Sequence, residues 1–478
     1  MTPELISRFS TLVGKENAIT DKRMLKTYLI EPRGLYNGAT PLVLRPANTA
    51  EVSAIMKLAS ETKTPVVPQG GNTGLVGAQQ PDQSGTQLVM SFSRMNQIRS
   101  IDSLGKIALV EAGVVLKTLR EKALDLECFF PLSLASEGTA QIGGTLSTNA
   151  GGTAVLSYGN MRELCLGLEV VLPDGRVLDD LRGVRKDNSG YDLKNLFVGS
   201  EGTLGVITTA AMKLFALPRG RIVAYVGIQS PTEALKLFVL AQSHAGIMLT
   251  GFELMSRLSM QFSLAYNKQG REPLPELYPW YLLIEISSPC SQGEARNIME
   301  TILSESMKDG ISKNAVIAIN KAQEEAFWRL REDMSPAQKP EGISIKHDIS
   351  VPIAAVPDFL VTAGRVIDEM LPGARVIVFG HIGDGNLHYN ISQPIGANKE
   401  EFLCHSQEIS HRIYALVMQY GGAFSAEHGI GQMKRNTLMA FKPSIAVDLM
   451  CSIKRLFDPH GIMNPEKVLS SCLFHKKI

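Results

Sequence analysis

The sequence predicts an α+β protein of two or three domains, the first marked by glycine-rich loops and the second without them. Three observations carry this. At 478 residues the chain exceeds what one hydrophobic core comfortably holds. Its first half alternates strand-like and helix-like runs joined by glycine-rich loops, and from about Ile222 the alternation continues without those loops. The expected divisions are 1–217, 218–421 and 422–478.

In order along the chain, TPLVLRP (40–46) reads as a strand and TAEVSAIMKLASETK as an amphipathic helix capped by Thr49. TPVVPQGG (64–71) follows as a buried strand that runs into glycines, which completes a βαβ unit. Further strand-like runs are QLVMSFS, KIALVEAGVVL, LGLEVVLPDGRVL and LGVITTAAMKLFAL, with Pro-Asp-Gly at 173–175 as a turn. Beyond Ile222, VAYVGIQ, a helix at 231–245, LTGFELM, WYLLIEISS, a helix at 292–308 and AVIAIN form two β-α-β pieces. The helix NKEEFLCHSQEISHRIYALVMQYGG ends at Gly421-Gly422.

Composition excludes several classes. Lys plus Arg number 48 against 47 Asp plus Glu, so no global field points to nucleic acid or to an anionic membrane. No apolar run approaches the roughly 18–20 residues of a membrane span. The six cysteines lie far apart with no CxxC, so reduced thiols are expected rather than disulfides or a metal cluster. With no basic-then-apolar leader, the expected location is cytoplasmic.

The 42 glycines cluster in three segments: PQGGNTGLVGAQQP (68–81), SEGTAQIGGTLSTNAGGTAVLSYGN (136–160) and GSEGTLGVIT (199–208). Glycine lets a ligand approach bare backbone, so several such loops imply a long, anion-bearing ligand. For any one loop, simple turns remain an equal alternative. None of them is a GxGxxG or a GxxxxGK[ST].

In FGHIGDGNLHYN (379–390), Asp384-Gly385 suits a two-residue type I′ hairpin. Counting outward, His381 then faces His388 and Phe379 faces Asn390, so both imidazoles and Asn390 share one face. Such a pair can chelate a cation, although two unrelated surface histidines would read the same. A third ligand is required, and SAEHGIG (425–431) offers Glu427 beside His428. In EEAFWRLREDMSPAQ (324–338), read as helical to Pro336, Arg331 and Ser335 lie at i and i+4 on one face. GISIKHDISVP (342–352) alternates Ile343, Ile345, Ile349 and Val351 inward with Ser344, Lys346, Asp348 and Ser350 outward.

A βαβ unit ending in PQGGNTGLVG, followed by IGGTLSTNAGG, GSEGTLG and the late DPHGIMNPEKV (458–468), resembles the vanillyl-alcohol-oxidase type flavoproteins over nearly the whole chain. Within them it is most similar to the D-2-hydroxyglutarate dehydrogenases and their D-lactate and glycolate dehydrogenase relatives. The resemblance implies a two-lobed FAD-binding domain, an α+β substrate domain with an antiparallel sheet, a C-terminal helical segment that returns to the FAD domain, and one non-covalent FAD, because 68–81 holds no His or Cys. It assigns the FAD to Pro68, Gln69, Gly70, Gly71, Asn72, Thr73, Gly74 and Gly77, to Pro131, Gly138, Thr139, Gly143, Gly144, Ser147, Asn149, Ala150, Gly151 and Gly152, and to Glu201, Gly202, Ile207 and Asn464.

The resemblance also makes His381, His388 and Glu427 ligands of a divalent metal, usually Zn²⁺, with Mn²⁺ or Fe²⁺ as alternatives. His428 becomes both catalytic base and substrate contact, Asn390 orients the hydroxy-acid end, and Arg331, Ser335 and Lys346 hold a distal carboxylate. Ser335 stands where relatives often carry Thr. The implied reaction is oxidation of D-2-hydroxyglutarate to 2-oxoglutarate, with hydride passing to flavin N5 and the hydroxyl proton to His428. Electrons then leave to an external acceptor such as an electron-transfer flavoprotein or quinone. The alternative is a D-lactate or glycolate dehydrogenase, a monocarboxylate leaving one cation unpaired. A homodimer is compatible with this reading.

Overall fold

The computed structural model describes residues 1–31 and 33–470. They form two compact units: residues 1–152, 158–216 and 427 onward in the first, 153–157 and 217–426 in the second. Both mix helices and sheets, so the α+β class predicted above is the class observed.

The first unit opens with the expected βαβ crossover. Strands Val43–Leu44 and Val66–Gln69 run parallel to Leu88–Ser91, which lies between them, and Ala18–Ile19 pairs antiparallel at the edge. The crossover helix Thr49–Thr62 buries Val52, Ile55, Met56 and Ala59. Its cap is Asn48, whose side chain accepts from the Glu51 amide, and not Thr49 as the sequence suggested. Thr49 instead donates its hydroxyl to Glu169 at 2.6 Å.

The other lobe of this unit is a five-stranded antiparallel sheet in the order Ile98–Asp102, Ile107–Glu111, Val206–Lys213, Cys165–Val171, Val177–Asp180. Its last two strands join through the predicted turn, where the Gly175 amide donates to Leu172. The C-terminal stretch returns to this unit: Val66 donates to Ile462, and Asn464 donates back to Val66. Buried Lys454 fixes the return by donating to Thr203, Met463 and Asp458, while Asp458 accepts the Ile462 and Met463 amides.

The second unit is one antiparallel sheet of seven strands. Their order is Asn314–Ile317, Gly220–Ile228, Trp280–Ser288, Leu249–Ser256, Arg375–Gly380, Asn386–Ser392, Ser344–Ser350. The first four strands and the helices Pro231–Ala245 and Gln292–Lys308 make a β-α-β-β-α-β unit in which the two predicted pieces interleave. The helices Arg257–Tyr266 and Lys321–Glu332 help bury a core of Tyr225, Tyr281, Phe327, Trp328 and Phe379.

The last two strands turn Leu387, Tyr389, Ile345, His347 and Ile349 toward the helices Val356–Met370 and Ser406–Gln419. Phe359 meets Tyr389 there, and His347 meets Tyr414. The five cysteines among the described residues are free thiols, and Cys472 lies outside the described residues.

Candidate active site

The hairpin that brings the histidines together forms in a different register from the one expected. Phe379, not His381, pairs with His388, and Ile377 pairs with Asn390. The reason lies in the turn. A type I′ loop needs positive φ at both central residues, yet of Asp384 and Gly385 only Gly385 has one, at +81°. Asp384 instead accepts the Asn386 amide with its own carboxylate, and the connection takes five residues, 381–385. The slip is by two positions, which preserves the face. His381 therefore still approaches His388, with ring centroids 6.3 Å apart and one nitrogen of each within 4.8 Å of the other.

One face of this sheet end is polar. Lys346 lies opposite Asn390, and Asp348 lies opposite His388. Lys346 is exposed, whereas Asp348, expected to face outward, is buried and accepts from the Asn386 side chain at 3.0 Å. Asn390 is buried as well, its Oδ1 accepting the His347 amide. His347, on the opposite face, meets the Tyr389 carbonyl and Ser410 with its two ring nitrogens, which makes it a structural histidine.

The residue that sequence reasoning missed is Glu253. Strand Leu249–Ser256 pairs Met255 with Phe379, and two residues further that register sets Glu253 against His381. The Glu253 carboxylate accepts from Arg331 Nε at 2.8 Å and meets His381 Nδ1 at 2.6 Å. Burial alone would raise its pKa, but His381 and Arg331 outweigh burial and hold it at about 2. A carboxylate facing Nδ1 at this distance favours the tautomer with its proton on that nitrogen, which leaves Nε2 as the nitrogen for a cation. The available signal was one acid inside the apolar run LTGFELM.

Arg331 is itself buried, stacked 4.9 Å from the Phe379 ring. The helix that carries Arg331 stops at Glu332, and Ser335 sits beyond it, exposed in the turn before Pro336, whereas Arg331 is buried.

Glu427 and His428 open the segment that belongs to the first unit. Just before them, Ala423 bridges to Ser350 and the Ala426 amide donates to the Asp348 carbonyl. Just after them, Glu201 accepts the Ile430 and Gly431 amides at 2.7 and 2.8 Å. Burial dominates at Glu201 over these bonds and over Lys434 and Lys467, and pushes its carboxyl up to about 7. Both Glu201 oxygens thus accept backbone amides, which ties residues 430–431 to the loop that carries Glu201.

The glycine segments of the first unit converge. A Cβ on Gly71 would fall 1.9 Å from the Thr139 carbonyl oxygen, so glycine there permits the loops 68–77 and 138–144 to touch. The Gln69 side chain donates to Tyr28 and Gln79, and Asn72 donates to Thr27 and Ile30, so both brace the loop. Asn464 donates to Ala78 and Glu201, and Pro68 packs beside Gly202. Asn149 accepts the Arg162 amide, Ser147 donates to Gly143, and Ile207 lies in the core. Positions 138 and 144 open onto space that nothing fills within 4 Å of an added Cβ. Gln141 Oε1, beside Gly70, is buried without a hydrogen-bond partner. Bare backbone, open space and an unsatisfied acceptor together fit a large polar cofactor such as FAD.

Residues 40–180 match the family described as FAD binding domain, and residues 217–468 match FAD linked oxidases, C-terminal domain. The chain is 37% identical over 470 residues to the mitochondrial D-2-hydroxyglutarate dehydrogenase of Arabidopsis thaliana, covering 98% of this chain and 82% of that one. It is 38% identical to the Danio rerio protein of the same name, with 98% and 86% covered. A putative mitochondrial D-lactate dehydrogenase of Schizosaccharomyces pombe is 34% identical, with 96% and 89% covered.

Among solved structures, p-cresol methylhydroxylase with substrate bound superposes at a TM-score of 0.75 and 17% identity, covering 98% of this chain and 96% of that one, a likeness of fold. No helix of the described residues is long and apolar enough to cross a membrane. The cytoplasmic expectation is overturned, since these relatives are named mitochondrial; it rested on missing signals, and a missing signal carries no address. The chain belongs to the FAD-linked oxidases of the vanillyl-alcohol-oxidase type, and within them to the D-2-hydroxyglutarate dehydrogenase-like group of FAD-dependent D-2-hydroxy-acid dehydrogenases.

Proposed function

We propose that this enzyme oxidises D-2-hydroxyglutarate to 2-oxoglutarate with a non-covalent FAD and a divalent metal, Zn²⁺ foremost, held by His381, His388 and Glu427. The observation that carries the reading is the polar sheet face on which Lys346, Asn390 and His388 lie in register, with His381 within chelating distance of His388. Glu427 follows directly on Ala426, whose amide is tied to Asp348, the cross-strand partner of His388. Connectivity alone therefore keeps that carboxylate near the pair. Two imidazoles and a carboxylate with further positions open suit zinc that also carries a substrate.

When bound, FAD supplies a hydride acceptor, and the divalent cation supplies Lewis acidity at the hydroxyl and 1-carboxylate. Lys346, with Arg331 and Ser335, binds the far carboxylate. Asn390 orients the hydroxy-acid end. His428 takes the hydroxyl proton on an imidazole nitrogen while the α-hydrogen departs with its electron pair, which leaves the 2-oxo acid. The two electrons go on to an external carrier, an electron-transfer flavoprotein or quinone.

One observation favours a second reading, D-lactate oxidation. Arg331 is already paired with Glu253, so a distal carboxylate relies more heavily on Lys346. An anaerobic flavin-bleaching screen over D- and L-2-hydroxy acids, with and without chelator, decides between them. D-2-hydroxyglutarate should bleach fastest and chelator should abolish the bleaching. Faster bleaching by D-lactate would favour the second reading, and insensitivity to chelator would remove the metal.

A further inference from the structure

We infer that Glu253 is the positioning residue of the metal site, one carboxylate that fixes both the orientation of His381 and the placement of Arg331. The inference rests on the metal reading above and concerns a residue with no role in it.

The geometry is specific. Glu253 is 1% exposed, yet neither of its oxygens lacks a partner: Oε1 faces His381 Nδ1 at 2.6 Å and Oε2 accepts from Arg331 Nε at 2.8 Å. The strand register that carries Glu253 against His381 is the one that pairs Met255 with Phe379. Phe379 in turn pairs with His388 and lies under the Arg331 guanidinium. The rotation of the His381 ring is thus set from behind by a buried anion, and that anion is held from the other side by a buried cation. A histidine whose Nδ1–H donates to a carboxylate presents Nε2 as a better-oriented and more basic ligand. The same carboxylate takes Nε of Arg331, which aims the terminal nitrogens of the fork rather than leaving the side chain to sample rotamers. The end of the substrate held by the cation and the end held by Arg331 are therefore indexed to one group.

The test uses full-length flavoprotein stripped of metal, with Zn²⁺ itself as the probe. Binding is measured by competition with a chelating dye, alongside flavin content and thermal midpoint. Glu253→Leu should weaken Zn²⁺ binding by about 100-fold and Glu253→Gln, which keeps one acceptor, by about tenfold, both with flavin content unchanged. Because Glu253→Leu strands a buried arginine, the double variant Glu253→Leu/Arg331→Leu is the control. It should recover the thermal midpoint without recovering Zn²⁺ affinity. Zn²⁺ binding within twofold of wild type in the Leu variants would overturn the inference, as would recovery of affinity together with stability in the double variant.

A second readout needs no variant of Glu253. In ¹⁵N-histidine-labelled wild-type apoprotein, the His381 signals, identified by their loss in His381→Ala, should show a protonated Nδ1 and a bare Nε2. The opposite tautomer would sink the inference even if every Glu253 variant misfolded. If wild-type protein takes up no divalent metal at all, the metal reading falls and the inference with it, whereas metal uptake by wild type together with the opposite tautomer defeats the inference alone.

Discussion

The Arg331 guanidinium and the Glu253 carboxylate form an ion pair almost shut off from solvent, with side-chain exposures of 9% and 1%. Breaking such a pair from one side leaves an uncompensated buried charge. Arg331→Leu should therefore destabilise the protein by about 3–5 kcal/mol, read from chemical denaturation of the flavoprotein. A change within experimental error would show that the pair is not sealed.

Lys346 projects from the sheet face shared by Asn390 and His388. If it meets a distal carboxylate, Lys346→Ala removes one charge-assisted bond worth about 1.5–3 kcal/mol. We expect kcat/KM for D-2-hydroxyglutarate to fall by roughly 10–100-fold, mostly through KM, with D-lactate turnover nearly unchanged. Equal losses on both acids would remove the distal role.

The two glycines of the cofactor loops should respond in opposite ways. Gly71→Ala forces a methyl to 1.9 Å from the Thr139 carbonyl oxygen, so it should destabilise the fold as overpacking does, by about 1–3 kcal/mol or more, read as a lower thermal midpoint. Gly144→Ala meets nothing within 4 Å and adds helix propensity of up to about 1 kcal/mol. It should leave the fold intact while lowering bound FAD, since its methyl points into the open cradle. The ratio of flavin to protein absorbance separates the two.

Glu201 gives a pH signature. Its carboxyl is raised to about 7 in the fold, against about 4.3 when unfolded. The protonated form is favoured by folding, so its contribution is full below the unfolded value and is lost as pH rises through 7. The difference in stability between wild type and Glu201→Gln should shift by about 3 kcal/mol between pH 4 and pH 8, wild type losing ground as pH rises. A pH-independent difference would contradict a raised carboxyl.

What the sequence revealed and what it hid divide along contact distance. The βαβ crossover and the Pro-Asp-Gly turn are written in neighbouring residues, and both form where expected. The shared face of His388 and Asn390 survived a wrong turn type because strand alternation has a period of two. Local reading failed where a small backbone choice was close in energy: the cap moved from Thr49 to Asn48, and the helix ended short of Ser335. It failed altogether for Glu253, because its pairing with His381 spans 128 residues and depends on which strands become neighbours. Periodicity reports a face, but it cannot report what that face will meet.

The bridge between Val66 and Met463 has a consequence for how the chain comes into being. The strand at 66–69 emerges early from the ribosome, yet the backbone that closes over it emerges nearly four hundred residues later. Apart from residues 153–157, the second unit is one uninterrupted stretch ending at Ala426, so it has all its parts before the first does. Domains commonly mature in order of synthesis, N-terminal first. Here the order is inverted, and the glycine loops that would embrace the flavin must wait for the tail. A chain cut after the helix Ser444–Phe457 would lose Ile462 and Asn464, and the strand laid down first would never be closed.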